Sequence, residues 1–274
     1  MKIVVPMAGR GKRFADLSDI NREYSVMKPM IKIFNKPMIQ WAMESYNSFL
    51  QQSEDETDKP VLLRDTIFIC LKEHEEQFEI SNFLKSTFSD KINILFTEKV
   101  TRGPAETALL AKKFIDSDED IIVSDSDHHF DGRDLWGVIQ QKHPEPNFLG
   151  ILPLMRPDDT EPTWSYVVLN DSNEVIDILE KDGELAKQLA YGVMGAYYFK
   201  RGRYFVDEAK KMIKENDLSG DAGKMEFYMS KVYQRYIAKG FLVKSAFINK
   251  GWVLGTPKHL NKFIQTVSFQ GEIR

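Results

Sequence analysis

Residues 1–14 read MKIVVPMAGRGKRF. Lys2 to Met7 is an apolar, β-branched run, and Ala8-Gly9-Arg10-Gly11-Lys12-Arg13 follows it with a cluster of glycines and cations. A strand ending in a glycine-rich basic turn has what a polyphosphate needs. Glycine lets backbone N–H groups approach the phosphate oxygens, while arginine and lysine neutralise the charge. The stretch predicts a nucleoside triphosphate site at the end of the first strand. An ordinary strand-to-helix turn has the same composition, so the rest of the chain must decide between the two.

Outward from this stretch, apolar runs alternate with helical patterns. Strands are predicted over Ile3–Met7, Thr66–Leu71, Ile92–Phe96 and Asp120–Val123. Helices are predicted over Met38–Phe49, Glu73–Phe88 and Ala105–Phe114, and the polar segment Gln51–Pro60 reads as a solvated loop. This rhythm argues for an α/β fold with a mostly parallel sheet, whose ligands sit at the carboxyl ends of strands. After Asp131-Gly132 the rhythm changes. Phe148–Leu154, Tyr166–Leu169, Val175–Glu180 and Val193–Phe199 are strand-like with few helices between, predicting antiparallel or mixed strands and a β-rich lid. Helices at Tyr204–Lys214 and Glu226–Ala238, a strand at Leu242–Phe247 and a terminal helix from Thr256-Pro257 complete the chain. No interdomain linker is visible. Residues 1–274 read as one domain, with a nucleotide-binding half over 1–132 and an acceptor-binding half over 133–274.

Composition narrows the function. The chain has 274 residues, 42% of them hydrophobic, and a net charge of −4. Its cations are locally clustered, which suits a small anionic ligand and argues against a dedicated nucleic-acid binder. The single cysteine, Cys70, lies in an apolar run and has no intrachain partner. No apolar stretch of about 18 residues predicts a membrane span, and no signal-peptide pattern is seen, so the expected location is cytoplasmic. A homo-oligomer is compatible with the sequence.

Further motifs join the first. Lys28-Pro29 and Lys36-Pro37 each place a lysine in a pair that disfavours helix, so Lys28 is expected on an extended loop folding back over the glycine turn. Asp125 and Asp127 are two apart near a strand end, where both carboxylates can face one side and suit Mg²⁺. His128-His129 is a poor zinc site: adjacent strand residues point opposite ways, and no third Cys or His is near.

Gly9-x-Gly11-x-Arg13-Phe14, Lys28-Pro29 and Asn35-Lys36-Pro37-Met38-Ile39 together resemble the sugar-1-phosphate nucleotidyltransferase (NDP-sugar pyrophosphorylase) family. Gly103–Thr107, Asp125-Ser126-Asp127, Glu180-Lys181, Gly192–Phe199 and Gly255-Thr256-Pro257 extend the resemblance in order to about residue 265. It implies a Rossmann-like three-layer α/β/α fold with a mixed central sheet and an added β-rich acceptor-binding lid. The implied enzyme joins a nucleoside triphosphate to a phosphomonoester with Mg²⁺ and releases pyrophosphate, most simply forming an NDP-sugar for surface polysaccharide. The implied catalytic set is Arg13, Lys28, Asp127 and Lys181, with Asp127 as metal ligand and Asp125 assisting. The implied nucleotide site is Ala8, Gly9, Gly11, Lys12 and Arg13, with Gly103 against the base and Glu98, or Thr97 if the register slips, reading its edge. The implied acceptor site is Tyr166, Glu180, Lys181, Gly195 and Glu226. Glu226-Phe227-Tyr228 resembles a segment of capsule-associated members.

Two positions depart from the family pattern. Tyr166 stands where a sugar-site glycine is usual, and Val253 stands where a second metal-binding aspartate is usual. Valine binds no metal, which leaves Asp127 with phosphates, or Asp125, Asp221 or Glu226 in its place. Tyr166 and Glu98 keep open a cytidylyltransferase acting on a non-hexose phosphate such as a polyol, choline or amino-acid phosphate. Val253 keeps open a non-catalytic nucleotide-binding regulator. The spacing after the first strand is not GxGxxG, which argues against a dinucleotide-dependent dehydrogenase.

Overall fold

β1 (Lys2–Met7) lies inside a ten-stranded sheet, with Ile3, Val4 and Val5 fully buried. The structure, a computed structural model, describes residues 1–17, 19, 21–46, 65–221 and 224–270. Ile3, Val5 and Met7 belong to one apolar cluster and Val4 to another, so the strand buries both faces, as a central parallel strand must. β2 (Thr66–Leu71) pairs with it in parallel, and β3 (Asn93–Thr97) adds in parallel to the outer side of β2. β4 (Ile121–Ser124) pairs in parallel on the other side of β1.

The second half continues the same sheet. Its strands are β5 (Phe148–Met155), β6 (Ser165–Leu169), β7 (Val175–Glu180), β8 (Gly192–Val193), β9 (Ala196–Phe199) and β10 (Leu242–Phe247). The order is β7-β6-β8-β5-β9-β4-β1-β2-β3, with β10 pairing in parallel with β5. β9 runs antiparallel to both β4 and β5 and joins the halves. The sheet is therefore mixed, with a parallel part built like a Rossmann half.

Helices cover both faces. They are α1 (Met38–Glu44), α2 (Lys72–Phe78), α3 (Ile80–Thr87), α4 (Pro104–Leu109), α5 (Arg133–Ile139), α6 (Gly202–Lys214), α7 (Met229–Ile237) and α8 (Pro257–Gln270). α4, α6 and α7 pack on the Val4 face through residues such as Ala108, Phe205 and Val232. α1, α3 and α5 pack on the opposite face through Ile39, Leu84 and Leu135.

Several elements differ from the sequence reading. The helix over 73–88 breaks at Glu79, which adopts φ 49, giving α2 and α3. The strand over 193–199 splits at Gly195, where φ is 62. The helix over 226–238 begins only at Met229, and Glu226 instead ends a short strand, Lys224–Glu226. Lys28–Met30 is a 3₁₀ turn rather than an extended loop: the restriction before proline spares one tight turn where it forbids a long helix. Residues 51–60 and the end of the helix predicted over 38–49 lie outside the described residues, as does the side chain of Asp221.

A third apolar cluster fixes the approach of Lys28. α8 sends Leu260, Phe263 and Val267 against Phe14, Ile31, Ile33 and Trp41, which surround the hairpin of Lys32–Ile33 and Lys36–Pro37. Phe263 lies 5.2 Å from Trp41 and 5.4 Å from Trp252, ring centre to ring centre. Phe263→Ala should lower stability by about 3–5 kcal/mol, read by urea denaturation, because it opens a cavity in this small cluster.

Candidate active site

β1 and β4 run parallel with Lys2 opposite Ile121 and Val4 opposite Val123, so their carboxyl ends share one edge. The chain leaving β1 and the chain leaving β4 meet there, and a cleft of about 380 Å³ opens between them. That volume suits a small-molecule ligand, for which pockets run from about 300 to 1,000 Å³.

One wall carries an ion pair. Lys28 Nζ donates to Asp127 Oδ2 at 2.7 Å. Asp127 is fixed through its main chain, where the Leu254 N–H donates to its carbonyl at 2.7 Å. Gly255 completes the fit. A Cβ at that position would stand 2.2 Å from Asp127 Oδ2, where a side chain would displace the carboxylate. His128 Nδ1 lies 3.2 Å from Asp127 Oδ1 and 3.6 Å from Asp125 Oδ2. His129 points the other way, with Nδ1 2.8 Å from the Trp41 carbonyl, as strand alternation requires.

These neighbours set the charges. Burial would push the Asp127 carboxyl up, but the Lys28 ammonium and the His128 hydrogen bond outweigh it and hold the group well below the usual carboxylate range. Asp125 is pushed up to about 6 by burial and by Asp127, against the pull of His128 and Lys28. Burial lowers the His128 imidazole, yet Asp127 and Asp125 more than offset this and raise it. Oxygen and nitrogen donors of Asp125, Asp127 and His128 lie within 4.8 Å of one another. Two carboxylates, one of them poorly neutralised in its buried position, fit a hard divalent cation completed by water and phosphate oxygens. Val253 pairs with His128 across a short ribbon and lines the cleft without offering a ligand.

The opposite wall carries Glu180, Lys181, Glu226 and Tyr228. Lys181 adopts φ 55, and its ammonium donates to the Tyr228 hydroxyl at 2.6 Å. Glu180 accepts from Ser165 and from Ser230, the latter at 2.8 Å. Burial raises the Glu180 carboxyl despite those two bonds. Gly103, with φ 148, caps α4 beside the Phe227 backbone. A Cβ there would lie 2.5 Å from Phe227 N, so this position needs glycine for packing whatever ligand is bound.

The expected site residues divide clearly. Ala8, Gly9, Arg13 and Lys28 line the cleft with Gly103, Asp125 and Asp127, and Glu180, Lys181 and Glu226 line it from the opposite wall. Arg13 is exposed there. Five others are not on the cleft wall. Gly11 caps the short helix Lys12–Ala15, and Lys12 is exposed beside it. Glu98 is exposed and pairs with Lys72 at 3.1 Å. Tyr166 is fully buried in the core and donates to the Glu161 carbonyl at 2.8 Å. Gly195 faces the His128 ring, and its carbonyl accepts from Asp125 N at 2.7 Å.

Tyr228, Ser165, His128 and His259 also line the cleft. Tyr228 sits inside the Glu226-Phe227-Tyr228 stretch and His128 beside Asp127, so both had a signal in the sequence. His259 had none.

A family model described as nucleotidyl transferase matches residues 2–267. No curated protein matches. Solved structures share the fold. The nucleoside-diphosphate-sugar pyrophosphorylase of Vibrio cholerae RC9 is 19% identical with a TM-score of 0.69, covering 96% of this chain and 99% of its own. A Bacillus anthracis protein assigned as a glucose-1-phosphate thymidylyltransferase, solved with sucrose, is also 19% identical at 0.69, covering 97% and 94%. The inositol-1-phosphate CTP transferase of T. maritima is 16% identical at 0.66, covering 97% and 94%. Among the described residues, no helix is long and apolar enough to cross a membrane.

Asp125 yields a pH test. Its folded-state pKa of about 6 exceeds the ordinary 3.8, so the stability it contributes is present below 3.8 and lost as pH rises through 6. With divalent metal chelated, Asp125→Asn should match the wild type in urea denaturation near pH 4. It should exceed the wild type near pH 7.5, by on the order of 3 kcal/mol.

Proposed function

We propose that this chain, which belongs to the nucleotidyl transferase family, joins a nucleoside triphosphate to a sugar 1-phosphate in the cytoplasm and releases pyrophosphate. The observation that carries this reading is the meeting of Arg13, Lys28, Asp125, Asp127 and Lys181 around one cleft. An acceptor phosphate oxygen attacks the α-phosphorus, the new P–O bond forms, and the bond to the β-phosphate oxygen breaks in line. No protein nucleophile is required. Catalysis is positioning and charge neutralisation.

Placement in the cleft supports the following roles. Backbone amides at Ala8 and Gly9 and the forked guanidinium of Arg13 hold the triphosphate, and Lys28 adds a point charge held in place by Asp127. The base lies against the Gly103 turn. Lys181 binds the acceptor phosphate, and Glu180 and Glu226 face the sugar hydroxyls. Asp127 and Asp125 would hold Mg²⁺, which when bound neutralises phosphate charge. The product would feed a surface polysaccharide, a reading supported by the Glu226-Phe227-Tyr228 stretch. Tyr166 and Glu98, the residues that favoured a non-hexose acceptor, are not among those lining the cleft.

A panel of CTP, UTP, dTTP, ATP and GTP against glucose 1-phosphate, other sugar 1-phosphates and polyol phosphates tests the reading by pyrophosphate release. Release is expected with a sugar 1-phosphate, and chelating divalent metal with EDTA should abolish it. Arg13→Ala and Asp127→Asn should each lower kcat/KM by about 100-fold or more while the protein stays folded. Wild-type turnover in either variant would remove that residue from the site.

A further inference from the structure

We infer that Tyr228 is a positioning residue that holds the Lys181 ammonium for the acceptor phosphate, an inference resting on the acceptor role proposed for Lys181. Lys181 leaves β7 with φ 55, a left-handed conformation that a lysine rarely adopts. Its own N–H donates to the Trp164 carbonyl at 2.8 Å, which fixes that turn. The side chain then runs to Tyr228, where Nζ donates to the hydroxyl at 2.6 Å and sits 4.6 Å from the ring centre. The Tyr228 hydroxyl donates in turn to Glu226, and burial together with that bond raises its pKa far above the ordinary value. A hydroxyl whose proton is committed to a carboxylate turns its lone pairs toward the ammonium. Lysine is a flexible point charge, so orientation must come from such a partner.

The platform is itself fixed. Phe227 N donates to the Arg102 carbonyl at 2.8 Å, and Ala105 N donates to the Phe227 carbonyl at 2.9 Å. The Arg102 guanidinium lies 4.7 Å from the centre of the Phe227 ring. Tyr228 thus stands on a segment stitched to the Gly103 turn, and Lys181 is aimed by a tyrosine anchored on the nucleotide side of the cleft. A hydrogen bond to a charged group carries weight enough to matter for affinity.

The test compares wild type, Tyr228→Phe, Lys181→Met and the double variant by two readings. The first needs no substrate. In ¹⁵N-lysine-labelled protein, the Lys181 side-chain NH₃⁺ signal, assigned by its loss in Lys181→Met, should be visible in wild type through slowed solvent exchange and should vanish in Tyr228→Phe. An unchanged signal in Tyr228→Phe overturns the inference whatever the catalysis shows. The second uses the triphosphate and sugar 1-phosphate pair that releases pyrophosphate with the wild type. Tyr228→Phe should raise the acceptor KM ~10-fold and leave the triphosphate KM unchanged, and the double variant should be no worse than Lys181→Met. An unchanged or lowered acceptor KM in Tyr228→Phe, with a raised one in Lys181→Met, overturns the positioning role alone. An unchanged acceptor KM in Lys181→Met overturns the acceptor reading of Lys181 and the inference with it.

Discussion

The contact between Lys28 and Asp127 ties together three parts of the chain that are remote in sequence. Lys28 comes from the turn that follows the glycine loop, Asp127 from the end of β4, and the surrounding backbone from residues 254–255 at the entrance to α8. Both side chains are largely withdrawn from water, at 24% and 15% exposure, so each charge is held in place by the other. The pair therefore constrains the packing around it. Gly255 has to be bare, α8 has to close on the hairpin after Lys28, and β1 has to lie beside β4. An anionic ligand arriving here meets charges already in place, and little reorganisation is needed.

A second constraint runs across the cleft. The Gly103 turn and the Glu226–Tyr228 segment approach too closely for any side chain at Gly103, and two main-chain hydrogen bonds lock them together. Two walls of the cleft are thus joined through backbone. Backbone contacts of this kind keep their spacing when side chains change. The proposed reaction, in which catalysis is the alignment of two phosphates, gains from a fixed distance between the walls that would hold them.

The sequence reading succeeded where a local pattern has one structural outcome. Apolar runs such as Ile67–Leu71 and Ile121–Val123 can be satisfied only by strands buried on both faces, and they became β2 and β4. Arg13, Lys28, Asp127 and Lys181 line one cleft because each lies just beyond a strand end or in a turn anchored there; that is placement and not a role. Side-chain direction was not legible where one residue of register decides it. Ser165 and Tyr166 are neighbours on β6, and alternation sends the first to Glu180 and the second into the core. Glu98 follows β3, the outermost strand of the parallel part, where it is exposed and paired with Lys72.

By itself the sequence determined the alternation of elements, the mixed sheet and the class of chemistry. Those depend on hydrophobic period, turn residues and charge type, which are local properties. Only the tertiary structure decided which charges are partners. Lys28 and Asp127 are 99 positions apart, and Lys181 and Tyr228 are 47 apart. Such pairings arise from strand order and from the close approach of backbones at Gly255 and Gly103. No local pattern encodes them, because the energy that selects them, burying apolar faces on both sides of one sheet, belongs to the whole chain.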